Sequence, residues 1–155
     1  MAELRITPEH PESAIAVALL DRYYGELELR FPDGFDLGRT TAAPPAELIA
    51  PHGQFLVARR GARAVGCGGV RRLGPGTAEI KRMWVDPEAR GLGVGRSLLL
   101  ALERGAVELG CHAVRLDTAA SLTEALALYK SAGYAEIPAY NDNSYAAHWL
   151  EKRVG

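Results

Sequence analysis

The sequence contains few of the residues that build metal centres or thiol active sites. Its 155 residues include two cysteines and four histidines. Cys67 and Cys111 lie far apart, no Cys-x-x-Cys motif occurs, and no two histidines are spaced as His-x-x-x-His. We therefore expect no metal site. Cys67 is expected to be a small buried strand residue, because no histidine lies near it in sequence to activate a thiolate.

An excess of charge of one sign is also missing. The chain has 18 Lys and Arg against 19 Asp and Glu, a net charge of −1, so it lacks the basic surface that binds nucleic acid. No apolar run approaches the ~18 residues of a membrane span. Glu3 and Arg5 do not resemble the start of a secretion signal. We expect a cytoplasmic protein with neither nucleic-acid nor membrane partners.

The length and the apolar periodicity predict one α/β domain over residues 1–155. A chain of 155 residues is large enough to bury roughly two-thirds of its unfolded surface, and hydrophobic residues make up an ordinary 48% of it. The predicted order is β-α-(short α)-β-β-β-α-β-α-β-β in one mixed sheet. The predicted elements are strand Leu4–Thr7, helix Pro11–Arg30, short helix Ala46–Ile49, strands Phe55–Arg59, Ala64–Arg72 and Thr77–Val85, helix Val94–Leu109, strand His112–Thr118, a helix that ends before Gly133, and strands Tyr134–Tyr140 and Tyr145–Lys152.

A glycine-rich turn lies between a strand pattern and a helix pattern. Residues Ala78–Val85 have strand character, Gly91, Gly93 and Gly95 follow, and a helical apolar stripe runs from Val94 to Leu109. Glycines let backbone N–H groups approach an anion closely, and a helix start adds unpaired donors and a partial positive charge. The turn therefore predicts a site for phosphate groups.

Two common phosphate loops do not fit the spacing of this turn. In the dinucleotide fingerprint Gly-x-Gly-x-x-Gly, the third glycine would fall at Arg96. In the nucleoside-triphosphate loop, Arg90 occupies the position of the first glycine and Arg96 that of the lysine. A nucleotide-binding or kinase-like module is therefore disfavoured. The pattern that fits is Arg/Gln-x-x-Gly-x-Gly/Ala, at Arg90, Gly93 and Gly95.

A second motif lies downstream of the turn. Residues 125–134 read Ala-Leu-Ala-Leu-Tyr-Lys-Ser-Ala-Gly-Tyr, which matches Ala-x-x-Leu-Tyr-x-x-x-Gly-Phe except for Tyr134 at the last position. With the glycine loop and the element order, this motif resembles the GCN5-related N-acetyltransferase (GNAT) family. The resemblance covers Phe55 to Lys152. It implies a central mixed, mostly antiparallel sheet flanked by helices.

The resemblance also implies a co-substrate and a reaction. The chain is expected to bind acetyl-coenzyme A and to transfer its acetyl group directly to a primary amine of a small molecule or peptide. A non-catalytic domain that senses acyl-coenzyme A is the alternative. The cofactor-binding residues implied by the family are Met83, Trp84, Val85, Arg90, Gly91, Leu92, Gly93, Val94, Gly95, Arg96 and Ser97.

Three catalytic roles follow from the resemblance. Glu79, eleven residues before Arg90, is the candidate base for the acceptor ammonium, which has no lone pair at neutral pH. The Met83 backbone N–H is the candidate donor to the oxyanion. Tyr129 is the candidate acid for the departing thiolate. Structural alternatives stay open: Glu79 as a surface carboxylate paired with Lys81, Met83 in plain strand packing, and Tyr129 packed under Tyr134.

The sequence says less about the acceptor. Segments that border the acceptor groove in the family contain the polar or aromatic residues Tyr23, Arg30, Phe31, Tyr140, Asn141 and Asn143. Leu122 stands where many members have a cofactor-binding Asn. Ser121 and Glu124 fit a capping box for the helix that carries Tyr129. The sequence leaves open whether the chain is a monomer or a homodimer.

Overall fold

One mixed sheet of seven strands organises the protein, in the order β1-β2-β3-β4-β5-β7-β6. The structure is a computed structural model that describes residues 2–39 and 43–155. The strands are β1 (Leu4–Pro8), β2 (Gly53–Arg60), β3 (Arg63–Gly74), β4 (Thr77–Val85), β5 (Ala113–Thr118), β6 (Ala135–Ile137) and β7 (His148–Arg153). β4 and β5 pair in parallel, and the other neighbouring strands pair antiparallel.

Helices cover both faces of the sheet. They are α1 (Ala14–Arg30), α2 (Val94–Glu108) and α3 (Thr123–Ser131), with short 3₁₀ turns at Leu37–Arg39, Pro45–Leu48 and Pro87–Ala89. Strand β2 shows how the faces are divided: Phe55 and Val57 pack with α1, whereas Leu56 between them packs with α2. Within the described ranges, no helix combines the length and apolar character needed to cross a bilayer.

The predicted fold class and element order are confirmed. The last two strands are shorter than predicted, because the chain between Ile137 and His148 is tied by side-chain bonds from Asn141 and Asn143 rather than by a strand ladder. The predicted capping box is wrong. α3 begins after Leu122 without a side-chain cap, and Glu124 pairs with Arg30 of α1 instead.

A β-bulge interrupts β4 close to the glycine turn. Cys67 of β3 faces Trp84, and Gly69 faces Lys81, so Gly68 lies opposite both Arg82 and Met83. Arg82 adopts the left-handed φ of 56°. The extra residue shifts the side-chain alternation by one. Ile80 therefore packs with α2, whereas Trp84, four residues later, packs with α1.

The parallel strands β4 and β5 separate beyond a short pairing. Thr77–Glu79 pair with Ala113–Arg115, and no further β4–β5 pairs occur in the described chain. β5 continues to pair with β7 as far as Thr118. The gap that opens lies at the carboxyl ends of both strands, which is where ligands bind in open sheets of this kind.

Candidate active site

Two cavities meet in the gap between β4 and β5. The loop cavity, of about 390 Å³, lies against the glycine turn and the bulged end of β4. The aromatic cavity lies on the other side and is lined by Tyr24, Phe31, Phe35 and Tyr145 together with charged groups from β4 and β5. Six residues line both cavities, namely Tyr23, Leu27, Met83, Leu122, Ala125 and Tyr129. The two chambers therefore share a wall that contains Met83 and Tyr129.

The glycine turn presents backbone donors to the loop cavity. Gly91 and Gly93 have φ of 80° and 84°, values that favour glycine. The first bond of α2 runs from the Ser97 N–H to the Gly93 carbonyl at 3.1 Å, so the N–H groups of residues 94–96 precede the helical ladder. Gly93 occupies the N-cap position and has no side chain that could accept a hydrogen bond from these N–H groups. This donor set and the helix dipole fit a pyrophosphate.

Arg90 is held by protein groups. Its Nη2 donates to Glu26 Oε1 and Oε2 at 2.7 and 2.9 Å, and its Nε donates to the Val85 carbonyl at 3.1 Å. Burial raises the pKa of the Glu26 carboxyl, but hydrogen bonds from Arg90 and Trp84 outweigh it and leave the pKa below its usual value. Glu26 therefore stays ionised and neutralises the guanidinium that was predicted to face phosphate.

Most of the predicted cofactor residues line the loop cavity, and Leu92, Val94 and Ser97 do not. The Val94 side chain is buried in the core instead, and Leu92 is half exposed. Arg96 lines the cavity and donates to Ser131 Oγ at 2.7 Å. Leu122, at the position of the family's Asn, contributes an apolar wall to both cavities.

Tyr129 lies at the junction with its hydroxyl unpaired. Its side chain is 7% exposed, and its ring meets the edge of Tyr134 with centroids 6.0 Å apart. No hydrogen-bond partner for the hydroxyl occurs in the described part of the chain. Burial raises the pKa of this phenol, and the negative charge of Asp117 adds to the rise. Tyr129 therefore carries its proton at neutral pH, as a general acid must.

Glu79 is buried beside the site rather than in it. The interpretation as a surface carboxylate is wrong, because Glu79 is 1% exposed, although the expected pair with Lys81 is present at 3.7 Å. Its Oε1 accepts from Arg71 Nε and Nη2 at 3.0 and 2.8 Å, and its Oε2 accepts from the Tyr140 hydroxyl at 2.7 Å. Glu79 lines neither cavity. Its role as the base stays a prediction.

Asp117 is a candidate functional residue that the sequence reasoning missed. It lies near the end of β5 and lines the aromatic cavity. Its Oδ1 accepts from Asn143 Nδ2 at 3.0 Å and its Oδ2 from Asn141 Nδ2 at 2.7 Å. The available signal was an aspartate at the carboxyl end of a strand that follows a βα unit.

The residues predicted to border the groove for the acceptor amine divide into two groups. Tyr23, Phe31 and Asn143 line the aromatic cavity. The others lie outside it: Asn141 supports Asp117, Tyr140 binds Glu79, and Arg30 pairs with Glu26 and Glu124.

Cys67 is confirmed as a buried strand residue, with 0% exposure. Burial raises the pKa of its thiol to about 12, so the thiolate that a nucleophile requires is scarce at neutral pH.

Sequence comparisons identify relatives along most of the chain. Residues 16–134 match the model of the acetyltransferase (GNAT) family. The IAA acetyltransferase of Azospirillum brasilense is 35% identical over 140 residues, which cover 88% of this chain and 87% of that protein. The N-alpha-acetyltransferase RimI of Mycobacterium tuberculosis is 38% identical over 104 residues, covering 61% and 62% of the two chains.

Solved structures agree with the sequence relatives. A Klebsiella pneumoniae protein assigned as an acyl-CoA N-acyltransferase superposes with a TM-score of 0.80 at 31% identity, over 100% of both chains. The PaiA N-acetyltransferase of Thermoplasma acidophilum, solved with coenzyme A, shares the fold with a TM-score of 0.74 at 15% identity, over 97% of this chain and 99% of that one. The chain therefore belongs to the acetyltransferase (GNAT) family and is an acetyl-CoA-dependent acyltransferase that acts on an amine.

Proposed function

We propose that the enzyme transfers the acetyl group of acetyl-CoA directly to a primary amine of a small molecule or peptide, with the chemistry at the wall shared by the two cavities. The observation that carries this proposal is that Met83 and Tyr129 line both the loop cavity and the aromatic cavity. Bound acetyl-CoA supplies a thioester, whose carbonyl carbon is the electrophile. The amine enters from the aromatic cavity and meets the thioester at that wall.

The loop cavity holds the pyrophosphate through backbone donors. The N–H groups at the start of α2 precede its hydrogen-bond ladder, and they supply this contact together with the dipole of the helix. Arg96 adds a positive charge at the cavity wall. Arg90 has a supporting role, because its Nε and Nη2 already donate to the Val85 carbonyl and to Glu26.

The bulge in β4 provides the donor for the oxyanion. A bulge leaves a backbone group of the extra residue outside the ladder, and Met83 is one of the two residues opposite Gly68. Its N–H stabilises the negative charge that develops on the carbonyl oxygen. A fixed donor of this kind is typically worth about 3 kcal/mol of activation free energy.

Tyr129 protonates the leaving thiolate. Its unpaired, protonated hydroxyl at the junction has the position and the ionisation state for this step. Cys67 does not serve as a nucleophile that would form a covalent acyl-enzyme, because its thiol is buried and its pKa is raised to about 12.

The ammonium proton passes to a carboxylate at the aromatic cavity. Asp117 lines that cavity, and its two amide partners leave further lone pairs for an ammonium. Glu79, the base that the family resemblance implies, is occupied by Arg71 and Tyr140. We therefore favour Asp117 as the first proton acceptor and treat Glu79 as its competitor.

Two measurements test the proposal. Acetyl-CoA should raise the melting temperature whereas ATP and NAD should not, since a ligand that binds only the folded state stabilises it. Incubation with acetyl-CoA and a panel of amines should then release coenzyme A and yield an N-acetylated amine. Stabilisation by ATP alone would overturn the co-substrate assignment. Stabilisation by acetyl-CoA without turnover of any amine would make the protein an acyl-CoA sensor.

A further inference from the structure

Three charged side chains line the aromatic cavity: Lys81, Arg82 and Asp117. Lys81 pairs with Glu79 at 3.7 Å, whereas Arg82 and Asp117 form no ion pair within the described residues. Arg82 lies on β4, three residues beyond the last β4–β5 pair, and Asp117 lies on β5, two residues beyond it. Both line the cavity. They therefore border the same gap from the two strands that diverge around it.

The positive charge of Arg82 lacks a carboxylate partner. No acidic group within residues 2–39 and 43–155 lies at ion-pair distance from its guanidinium. Its Nη1 donates to the Ala43 carbonyl at 2.9 Å, and a guanidinium has four further N–H donors. Burial raises the pKa of the neighbouring Tyr24, and the charge of Arg82 and a hydrogen bond between the two side chains oppose that rise. The guanidinium therefore lies beside an aromatic wall of the cavity with donors to spare.

The backbone at Arg82 is adopted at a cost. A φ of 56° is unfavourable for a residue with a side chain, and such strain concentrates at ligand sites. The bulge that imposes it also sets Met83 at the junction of the cavities. The same two residues thus bring a cation and a backbone donor to neighbouring parts of the site.

The negative charge of Asp117 also lacks an ionic partner. Only the neutral amides of Asn141 and Asn143 bind its oxygens, and no cation of the described residues forms an ion pair with it. Amide donors fix the carboxylate in place and leave its charge uncompensated. An ammonium group is the partner that fits it, because it carries both the charge and the donors.

One part of the remaining cavity wall is aromatic. Phe31 and Phe35 lie 4.8 and 5.0 Å from Tyr145, measured between ring centroids, and Tyr24 lies 5.8 Å from Phe35. Packed rings of this kind favour another planar apolar group, because stacked and edge-on ring pairs add to the gain from burial.

We propose that the acceptor is a free α-amino acid with an aromatic side chain, held by its carboxylate at Arg82, by its ammonium at Asp117 and by its ring against Phe31, Phe35 and Tyr145. This inference rests on the proposed function and names its substrate class. A peptide lacks the free carboxylate next to its amine, and a simple arylalkylamine has no carboxylate at all. Both should therefore be poorer acceptors.

The protons and bonds balance along this path. One ammonium proton passes to Asp117 and then to water. The amine nitrogen forms the C–N bond as the C–S bond breaks. Tyr129 gives its proton to the thiolate and regains one from the new amide nitrogen, so that the products are N-acetyl amino acid, coenzyme A and one released proton.

The test compares kcat/KM for three acceptors that differ only at the carboxylate: L-phenylalanine, L-phenylalaninamide and phenethylamine. The wild-type enzyme should prefer L-phenylalanine by about 10–100-fold, the worth of one hydrogen-bonded charge. Arg82→Gln should lower the ratio of kcat/KM for L-phenylalanine to kcat/KM for phenethylamine to about 1, and this ratio cancels any effect of the variant that both acceptors share. Arg104→Gln, a matched change at an exposed position of α2, should leave the preference intact.

A binding measurement separates failure of this inference from failure of the proposed function. Calorimetry with the enzyme saturated in coenzyme A should show that L-phenylalanine binds and that Arg82→Gln weakens it about 10-fold or more. Equal turnover of all three acceptors by wild type would overturn the substrate class and leave the acetyltransferase intact. Absence of turnover with all three acceptors, while another amine of the panel is acetylated, would likewise overturn the substrate class. Only absence of turnover across the whole panel makes the proposed function fail, and the calorimetry alone then decides whether Arg82 binds an amino-acid carboxylate. Equal affinity in wild type and variant would refute that contact.

Discussion

The Tyr140 hydroxyl donates a hydrogen bond of 2.7 Å to Oε2 of Glu79, and Arg71 holds the other oxygen of the same carboxylate. This arrangement ties the segment between β6 and β7 to the middle of the sheet. Glu79 therefore stabilises the fold by accepting hydrogen bonds from two other segments, a role that its position in the sequence does not indicate.

The identity of the base can be tested by matched amide substitutions. Asp117→Asn should lower kcat most at low pH, where the acceptor ammonium is hardest to deprotonate. Glu79→Gln should instead lower the free energy of unfolding by about 1–3 kcal/mol, because it removes the buried negative charge that binds Arg71 and leaves the Arg71–Glu47 pair in place. The measurements are pH–rate profiles and urea denaturation of both variants.

The opposite pattern would reassign the base. If Glu79→Gln loses activity selectively at low pH while Asp117→Asn keeps the wild-type profile, the role implied by the family resemblance belongs to Glu79. The Asp117 carboxylate would then only shape the acceptor cavity.

Tyr129→Phe should slow turnover by about 10²–10⁴-fold, the usual contribution of a general acid. The affinity for coenzyme A should stay the same, because the substitution removes only the hydroxyl. Steady-state kinetics and calorimetry measure the two effects. Tyr134→Phe is the matched control: its hydroxyl bonds Glu103 at 2.9 Å outside both cavities, so its loss should affect stability and not kcat. Equal kcat in wild type and Tyr129→Phe removes the acid role.

Gly93→Ala should destabilise the protein by about 1–2 kcal/mol and weaken acetyl-CoA binding, because the left-handed φ of 84° is costly for alanine. Gly25→Ala makes the same chemical change at an exposed position inside α1 and should stabilise by roughly 0.5–1 kcal/mol. Thermal unfolding and co-substrate titration compare them. A Gly93 variant with wild-type stability and affinity would show that the loop conformation is not required.

Asp86, which caps the 3₁₀ turn just before the glycine turn, should make the stability of the protein fall at acidic pH. Burial raises the pKa of its carboxyl, but hydrogen bonds from Arg22, the Glu88 N–H and Arg63 outweigh this and hold it below the usual value. A lowered folded-state pKa stabilises the protein above the unfolded value of ~3.9, and this contribution is lost as the pH falls through the folded value. Asp86→Asn should therefore cost about 1.5–3 kcal/mol at pH 7.

Melting curves of wild type and Asp86→Asn across the pH range check this prediction. Their difference in stability should be constant above about pH 5 and should shrink below about pH 4. A difference that persists unchanged at pH 2 would mean that the amide disturbs packing and that the charge of Asp86 is not what stabilises the turn.

The sequence was sufficient for the features that depend on local pattern. The strands and helices follow from apolar periodicity, and the glycine turn before α2 follows from Gly91, Gly93 and the helix that starts at Val94. The boundaries near Asn141 could not be predicted, because side-chain bonds to Asp117 replace a strand ladder there.

The hydrogen bonds and ion pairs of the site could not be predicted from the sequence, because they join segments that are distant along the chain. Glu26 reaches Arg90 across 64 positions, and Tyr140 reaches Glu79 across 61. The bulge at Arg82 escaped detection for a different reason. A bulge moves every later side chain of the strand to the opposite face, and the residue types at its two positions, Arg82 and Met83, are not characteristic of a bulge.

The most direct test of the account is the product analysis of one reaction: enzyme, acetyl-CoA and L-phenylalanine, with coenzyme A and N-acetylphenylalanine quantified together over time. The account predicts that the two products appear in equal amounts and that Tyr129→Phe slows both by the same factor. Release of coenzyme A without an acetylated amine, or equal rates in wild type and Tyr129→Phe, would contradict acetyl transfer at the junction of the two cavities.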